Sequence, residues 1–173
     1  FAQHPFPIHF DLRCTTSRDL LWVRSVSTQA ITRNSGLPVL NLGYVAAGPM
    51  TDMCLYETAA WVVASVVSGG SIEAEGVAKN AHVDHCTPME PALAAEVAHA
   101  VVGMGREEAN GVVGSLLATY EERLASAPVG QRYQECFDVA SAKPHAEYIE
   151  MYNRMREKLR EHGVRFTRES LFK

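Results

Sequence analysis

Three short apolar runs, separated by segments of helix length, constrain the fold of this chain more than any other feature. The runs cover residues 7–12, 37–47 and 71–78, and helical periodicity with hydroxyl or glycine caps fills residues 17–34 and 52–68. Connections of this length allow parallel pairing, and runs that are apolar on both faces are typical of a sheet covered by helices. The pattern predicts an α/β fold in the order strand, helix, strand, helix, strand.

The second half of the chain predicts helices. Thr87 and Glu90 have the spacing of a capping box, with Pro88 at the first helical position. Apolar stripes at helical spacing follow over residues 106–127 and 144–162. These stripes indicate a core-facing side on each helix.

Three short parallel strands are too few to form a stable sheet alone, because an open parallel sheet needs both faces covered and leaves two edges bare. The chain begins at Phe1 without an initiator Met or a leader pattern, so we expect a fragment whose remaining strands lie upstream. The arrangement fits the C-terminal part of a (β/α)8 TIM-type barrel. About three parallel strands would lie in residues 1–86, and C-terminal helices of the same domain in residues 87–173. A doubly wound sheet is the alternative.

Composition argues against several classes of function. The 173 residues carry 16 Lys and Arg against 20 Asp and Glu, a net charge of −4, without a basic stripe, so a nucleic-acid partner is not expected. The longest uncharged apolar stretch, residues 58–72, is shorter than the roughly 20 residues of a transmembrane helix. The four cysteines lie far apart without a CxxC pair, which favours reduced thiols in a cytoplasmic protein.

In both architectures ligands bind at the carboxyl ends of the strands, which here are residues 13–16, 44–52 and 73–79. Gly48 allows the backbone to pass close to a ligand, and Thr51 opens a helix whose first amides could face an anion. The alternative is that Gly48 is only a turn residue and Thr51 only an N-cap.

A pair of carboxylates lies in the third run. Glu73 and Glu75 are two residues apart, so on a regular strand they face the same side. Such a pair inside a barrel mouth could bind a cation or move a proton. The alternative is a solvated strand end.

A group of metal-capable side chains follows in the loop before the capping box: His82, Asp84, His85 and Cys86. Their spacing matches no standard zinc pattern and no second ligand pair lies nearby, so we predict no metal site. The chain also lacks GxGxxG, P-loop, GxSxG and HExxH motifs, which leaves a self-contained nucleotide or hydrolase site without support.

Residues 47–55 have the distinctive sequence AGPMTDMCL. Further stretches of interest lie at residues 89–90, 96–98, 125–128, 134–139 and 147–166. In this order, they resemble the C-terminal part of the monomethylamine methyltransferases, the pyrrolysine-containing enzymes that methylate a corrinoid protein. The stretches reach along nearly the whole chain and together are specific for this family.

The resemblance implies a (β/α)8 barrel of which this chain holds about the last third. It implies transfer of the methyl group of monomethylamine to the Co(I) corrinoid of a cognate corrinoid protein, with release of ammonia. The partner carries the corrinoid, so no cofactor is expected to bind this chain directly, and the family favours a homo-oligomer. The catalytic pyrrolysine and the glutamates that serve it lie upstream of Phe1. No catalytic residue is therefore expected in this segment, which alone should be inactive.

The residues implied to face the substrate or the corrinoid lie at the predicted strand ends: Asn41, Tyr44, Gly48, Thr51 and Asp52. Their implied roles are to shape the cavity and to dock the corrinoid. The family has a glutamine near methylamine where Leu42 stands here, and Asn41 beside it is the candidate polar substitute. In the complete protein, Asp52→Ala is expected to impair methyl transfer without unfolding the barrel.

Three alternatives remain open. A pyrrolysine-free relative that acts on another methylated amine would carry an ordinary residue at the equivalent upstream position. An inactive fragment, produced by restarting a gene after an in-frame amber codon, would have exposed sheet edges and no activity. A metal-binding module would hold one zinc ion that is lost on His85→Ala.

Overall fold

The computed structural model describes residues 1–172 and shows an α/β fold. Its helices are α1 (Arg18–Asn34), α2 (Asp52–Val67), α3 (Met89–Ala100), α4 (Arg106–Tyr120), α5 (Tyr133–Cys136) and α6 (Ala146–Glu161). Its strands are β1 (Leu40–Tyr44), β2 (Ser71–Gly76), β3 (Phe137–Asp138) and β4 (Lys143–Pro144), with 3-10 turns at Ala78–Asn80 and Glu121–Ser126. The predicted order α1, β1, α2, β2 is confirmed.

Strands β1 and β2 pair in parallel, as predicted. Leu40 lies opposite Ser71 at one end and Tyr44 opposite Gly76 at the other. The register shifts within the ladder because Glu73 is an extra residue on β2. This β-bulge alters which side chains of β2 share a face.

The prediction of a strand at residues 7–12 is wrong. The segment is a loop, in which Arg13 N–H donates to the His9 carbonyl at 2.8 Å and His9 N–H donates to the Cys14 carbonyl at 2.9 Å. Pro7 lacks the N–H that a strand ladder needs. The residues that follow it form a turn, although their apolar residues alternate as in a strand.

The parallel neighbour of β1 on this side is Gln3, which forms an isolated bridge with Val39. Its N–H donates to the Pro38 carbonyl and its carbonyl accepts from Leu40 N–H, both at 2.9 Å. The third parallel segment therefore exists upstream of its predicted place, and it is reduced to one bridge.

Helix α2 is buried on nearly every side, as its almost uniformly apolar sequence predicts. The two-stranded sheet packs on one side, and α1, α3, α4 and α6 cover the others. Trp61 lies against β1 at Gly43, where a Cβ would come within 2.4 Å of the indole ring. Glycine at this position therefore allows the helix to approach the sheet closely.

The helices predicted after residue 87 are confirmed with shorter bounds, because the predicted segment 106–127 is α-helical only to Tyr120. Glu90 reaches back to Thr87 N–H at 2.9 Å, as the capping box predicts. Tyr148 of α6 also donates to Glu90, so this carboxylate joins the start of α3 to α6.

The β3–β4 hairpin is not predicted by the sequence pattern. Within residues 1–172, no helix combines the length and hydropathy that a bilayer span requires.

The two carboxylates of β2 do not form the expected pair. Glu73, the bulged residue, lies 2.7 Å from His4 Nε2 at the surface. Glu75 faces α2, where it accepts hydrogen bonds from the Thr58 hydroxyl at 2.7 Å and from Trp61 Nε1 at 2.8 Å. The bulge separates them, because it breaks the alternation on which the prediction rested.

Burial raises the pKa of Glu75 to about 8, although the bonds from Trp61 and Thr58 oppose this shift. The folded chain therefore holds a proton on Glu75 that the unfolded chain releases above its ordinary pKa near 4.5. The stabilising contribution of this proton is full below pH 4.5 and is lost as the pH rises to about 8.

We predict that Glu75→Gln makes the free energy of unfolding less dependent on pH. Relative to the unmodified chain, the variant should gain about 4 kcal/mol between pH 5 and pH 9, because the amide cannot ionise. Urea unfolding at the two pH values measures this difference. Glu150→Gln, on the exposed side of α6, is the matched control and should leave the slope unchanged. An equal slope in all three proteins would contradict the prediction.

Candidate functional site at the strand ends

Three segments meet at the carboxyl ends of the parallel strands. Thr15 N–H donates to the Tyr44 carbonyl at 2.8 Å, and Tyr44 N–H donates to Thr15 Oγ1 at 3.0 Å. From the end of β2, Lys79 N–H donates to the Val45 carbonyl at 2.8 Å. The loop before α1, the end of β1 and the turn after β2 therefore form one connected surface, where the architecture predicts the ligands.

A buried carboxylate, Glu57 of α2, lies beneath this surface. Its Oε2 accepts from Ala46 N–H and its Oε1 from Ala47 N–H, both at 2.9 Å, and the Thr16 hydroxyl also donates to it. Burial raises the pKa of Glu57 to about 7, against the opposing effect of these bonds and of the positive charge of Lys79.

Sequence reasoning missed Glu57, although the sequence contains a signal for it. Glu57 is the one charged residue among thirteen consecutive buried positions of α2, residues 53–65. A charge there must find hydrogen-bond partners or change its protonation. Its partners come from the turns at the end of β1 and before α1.

The turn after β2 has a strained backbone. Ala78, Lys79 and Asn80 have φ values of 50°, 57° and 50°, which L-residues adopt rarely and at a cost. Asn80 Nδ2 donates to the Tyr44 hydroxyl at 3.0 Å. Backbone strain of this kind persists where surrounding contacts impose it, and it is concentrated at functional sites.

Tyr44 lies on the sheet face opposite the helices. Its ring meets Phe6 edge-on, with centroids 4.8 Å apart. Its hydroxyl accepts from Asn80, so the phenolic proton remains available for donation. Leu42 shares this face by strand alternation, whereas Gly43 faces Trp61.

Asn41 does not share the face of Tyr44, contrary to the expectation that it faces the substrate. Its side chain is fully buried toward the helices, with Oδ1 accepting from the Thr28 hydroxyl at 3.5 Å. Gly70 leaves room for it, since a Cβ there would lie 2.2 Å from Asn41 Nδ2. The reason is the two-residue period of a strand, which sends adjacent side chains to opposite faces.

Gly48 passes close to the chain itself. Its N–H donates to the Pro128 carbonyl at 2.9 Å, and a Cβ on Gly48 would lie 1.6 Å from the Val129 carbonyl oxygen. Gly130, with φ of +76°, lies against Pro49 in the same contact. The glycine requirement at Gly48 therefore comes from residues 128–130.

Thr51 and Asp52 begin α2 and are both engaged within the chain. Thr51 donates to the Gly48 carbonyl at 2.7 Å and accepts from Cys54 N–H at 3.2 Å, which is N-cap geometry. The Asp52 carboxylate lies 2.8 Å from Lys158 Nζ and 3.6 Å from Arg154 of α6. As substrate- or corrinoid-facing residues, Tyr44, Gly48, Thr51 and Asp52 stay predictions.

The metal-capable group after β2 is spread out. The rings of His82 and His85 lie 5.4 Å apart at their centroids, His85 Nδ1 is 2.8 Å from the Val83 carbonyl, and Asp84 accepts from Gln134 at 2.8 Å. In the part of the chain that the structure describes, no three His, Cys, Asp or Glu side chains are placed to hold a metal ion.

Polar side chains gathered at the carboxyl ends of parallel strands, with helices packed on the sheet, are the arrangement in which α/β proteins bind their ligands. Comparison with known proteins gives the family. The family model described as "Monomethylamine methyltransferase MtmB" matches residues 4–164, and the chain belongs to this family.

Individual relatives agree with this assignment. The chain is 36% identical over 162 residues to "Monomethylamine methyltransferase MtmB2" of Methanosarcina barkeri and to "Monomethylamine methyltransferase MtmB" of Methanosarcina mazei. These matches cover 92% of this chain and 35% of each relative, so the chain spans about a third of their length.

Solved structures of the family have the same fold over the shared region. The crystal structure of the Methanosarcina barkeri monomethylamine methyltransferase matches with a TM-score of 0.91 and 34% identity, over 95% of this chain and 36% of that one. The crystal structure of its hydroxylamine complex matches equally well.

We predict that Gly48→Ala destabilises the chain by about 3 kcal/mol or more, because the new Cβ overlaps the Val129 carbonyl and the backbone must move. Gly111→Ala is the matched control. Its Cβ meets no atom within 4 Å, so it should stabilise α4 by about 0.5–1 kcal/mol. Thermal unfolding of both variants measures the contrast, and a Gly48→Ala variant as stable as the parent would refute the close approach.

Proposed function

We propose that this chain is the C-terminal part of a (β/α)8 barrel in a monomethylamine methyltransferase. The observation that carries the proposal is the TM-score of 0.91 over 95% of the chain to the crystal structure of such an enzyme. The sheet supports it: β2 pairs only with β1 within residues 1–172, and Gln3 continues the parallel order on the other side. A sheet of this size needs the further strands of a barrel.

The proposed reaction transfers the methyl group of monomethylamine to the Co(I) corrinoid of a cognate corrinoid protein, and ammonia leaves. The corrinoid would arrive on its carrier protein in the cytoplasm, and the enzyme would be a homo-oligomer. The pyrrolysine of the family, placed upstream of this chain, would supply the group that holds and orients the amine. This chain alone would be inactive.

Residues of this chain would form one side of the barrel mouth. Tyr44 presents a phenolic proton on the sheet face that points into a barrel, and Asn80 fixes its hydroxyl. An amine nitrogen or a polar group beside it can accept that proton in a hydrogen bond. Leu42, on the same face, offers no hydrogen bond, so Tyr44 is the polar anchor of β1 on this face.

The rim of the mouth would receive the carrier protein. Gly48 is held there by Pro128, and Asp52 by Lys158, so the rim is a fixed surface. Preformed surfaces bind partners without the cost of ordering loops. In this proposal Thr51 and Asp52 act by holding the rim in place.

We predict that Tyr44→Phe, in the complete protein that contains this chain, lowers the rate of methyl transfer about 10- to 100-fold. The assay follows formation of methyl-cobalt from the reduced corrinoid protein by absorbance, with monomethylamine as the donor. Tyr56→Phe is the matched control, because Tyr56 packs against His162 with its ring 5.7 Å away on the α6 side. Equal rates in the two variants would remove Tyr44 from the site.

The same assay tests the proposed function against its alternatives. Transfer from monomethylamine supports it, whereas transfer only from another methylated amine would favour the relative without pyrrolysine. No transfer by the complete protein would favour an inactive product. The intact mass and upstream peptide sequence of the native protein identify the residue at the pyrrolysine position.

A further inference from the structure

Glu57 contacts two of the three segments that form the strand-end surface and lies near the third. It reaches out of α2 to two successive amides after β1, those of Ala46 and Ala47, and to the hydroxyl of Thr16 before α1. Lys79, in the turn after β2, lies close enough to act on its charge. The carboxylate and its partners are all buried apart from Lys79, so water does not replace these bonds.

Tyr44 depends on the same segments. Its N–H and carbonyl are both bonded to Thr15, the neighbour of Thr16, and the chain continues from Tyr44 through Val45 directly to Ala46. Tyr120 of α4 adds a hydrogen bond of 2.7 Å to the Thr16 carbonyl. Glu57 is therefore connected to Tyr44 through one residue on each side, Thr15 and Val45.

We propose that Glu57 is a positioning residue: its carboxyl group ties together the two loops that hold Tyr44, and its ionisation loosens them. The role assigned to Tyr44 rests on the proposed function, whereas the loosening of the loops does not.

The chemistry of the carboxyl group gives the direction. The carboxylate only accepts hydrogen bonds, and here it accepts from three donors. Protonation keeps these contacts, because the Thr16 hydroxyl can reverse and accept the proton on Oε2 while both oxygens still accept from the backbone amides. Burial raises the pKa of Glu57 to about 7, so the folded loops hold this proton more tightly than the unfolded chain does, and ionisation above pH 7 favours their opening.

The charged and titratable groups around Glu57 come from every element packed against it: Lys79 after β2, Glu75 on β2, Cys14 before α1, Tyr120 on α4 and Cys54 on α2 itself. Burial raises the pKa of Cys14, Cys54 and Tyr120 above their ordinary values, so these groups are neutral near pH 7. Glu75 is the other group that titrates in this range, and it contacts Thr58 and Trp61 instead of the loops.

Hydrogen–deuterium exchange of the complete protein tests the loosening. Peptides covering residues 44–48 are followed between pH 5.5 and pH 8.5 and corrected for the intrinsic pH dependence of exchange. We expect their protection to fall about five- to tenfold as the pH rises from 5.5 to 8.5, because opening of the loops lets the ionised carboxylate reach water. Protection that is independent of pH would overturn the proposal, and this measurement needs no variant.

Variants separate the carboxylate from general effects on stability. Glu57→Gln should show the low protection at every pH, because its amide presents N–H groups to the backbone donors. Glu75→Gln, the matched buried carboxylate, should keep the pH-dependent protection of the unmodified protein. Thr16→Val should lower the protection, and Thr16→Ser should restore it. Equal exchange profiles in Glu57→Gln and Glu75→Gln would overturn the assignment.

The activity of the complete enzyme tests the link to Tyr44. In the unmodified enzyme, kcat for methyl transfer should fall as the pH rises through about 7, and in Glu57→Gln it should be low and lack this step. An enzyme with no methyl transfer but with pH-dependent exchange refutes the proposed function and retains the positioning role. An active enzyme whose pH profile is the same in both proteins refutes the positioning of Tyr44.

Discussion

The burial of α2 is the constraint on which the rest of the structure depends. A helix that is apolar on nearly all sides must be covered on all sides, and here the sheet and four helices cover it. Its few polar side chains must then find partners in the surrounding layers. Glu57 accepts hydrogen bonds from the strand-end loops, and the Thr58 hydroxyl donates to Glu75 of β2.

Much of the fold could be predicted because period and caps are local properties. The bounds of α1 and α2 and the parallel pairing of β1 with β2 follow from apolar spacing and crossover length. The strand expected at residues 7–12 is wrong because apolar alternation does not reveal whether a ladder partner is available. The separation of Glu73 from Glu75 was also beyond prediction, since one inserted residue reverses the alternation and leaves no local mark.

The candidate site was less accessible to sequence reasoning than the fold. Its location at the strand ends follows from the architecture, but the contacts of its residues are made by distant parts of the chain. Gly48 and Asp52 look like ligand-facing residues in sequence, and each is bonded to a segment at least 80 positions further on. Glu57 could have been singled out by its charge within an apolar helix, while its partners could not.

The contact between Gly48 and residues 128–130 also bears on how the protein is made. The Gly48 amide bonds to Pro128, which lies 80 positions later in the chain. During synthesis, the turn after β1 therefore cannot take its final shape until the segment after α4 has left the ribosome and folded back. The strand-end surface is completed late, so an unfinished chain lacks the finished surface at the ends of β1 and β2.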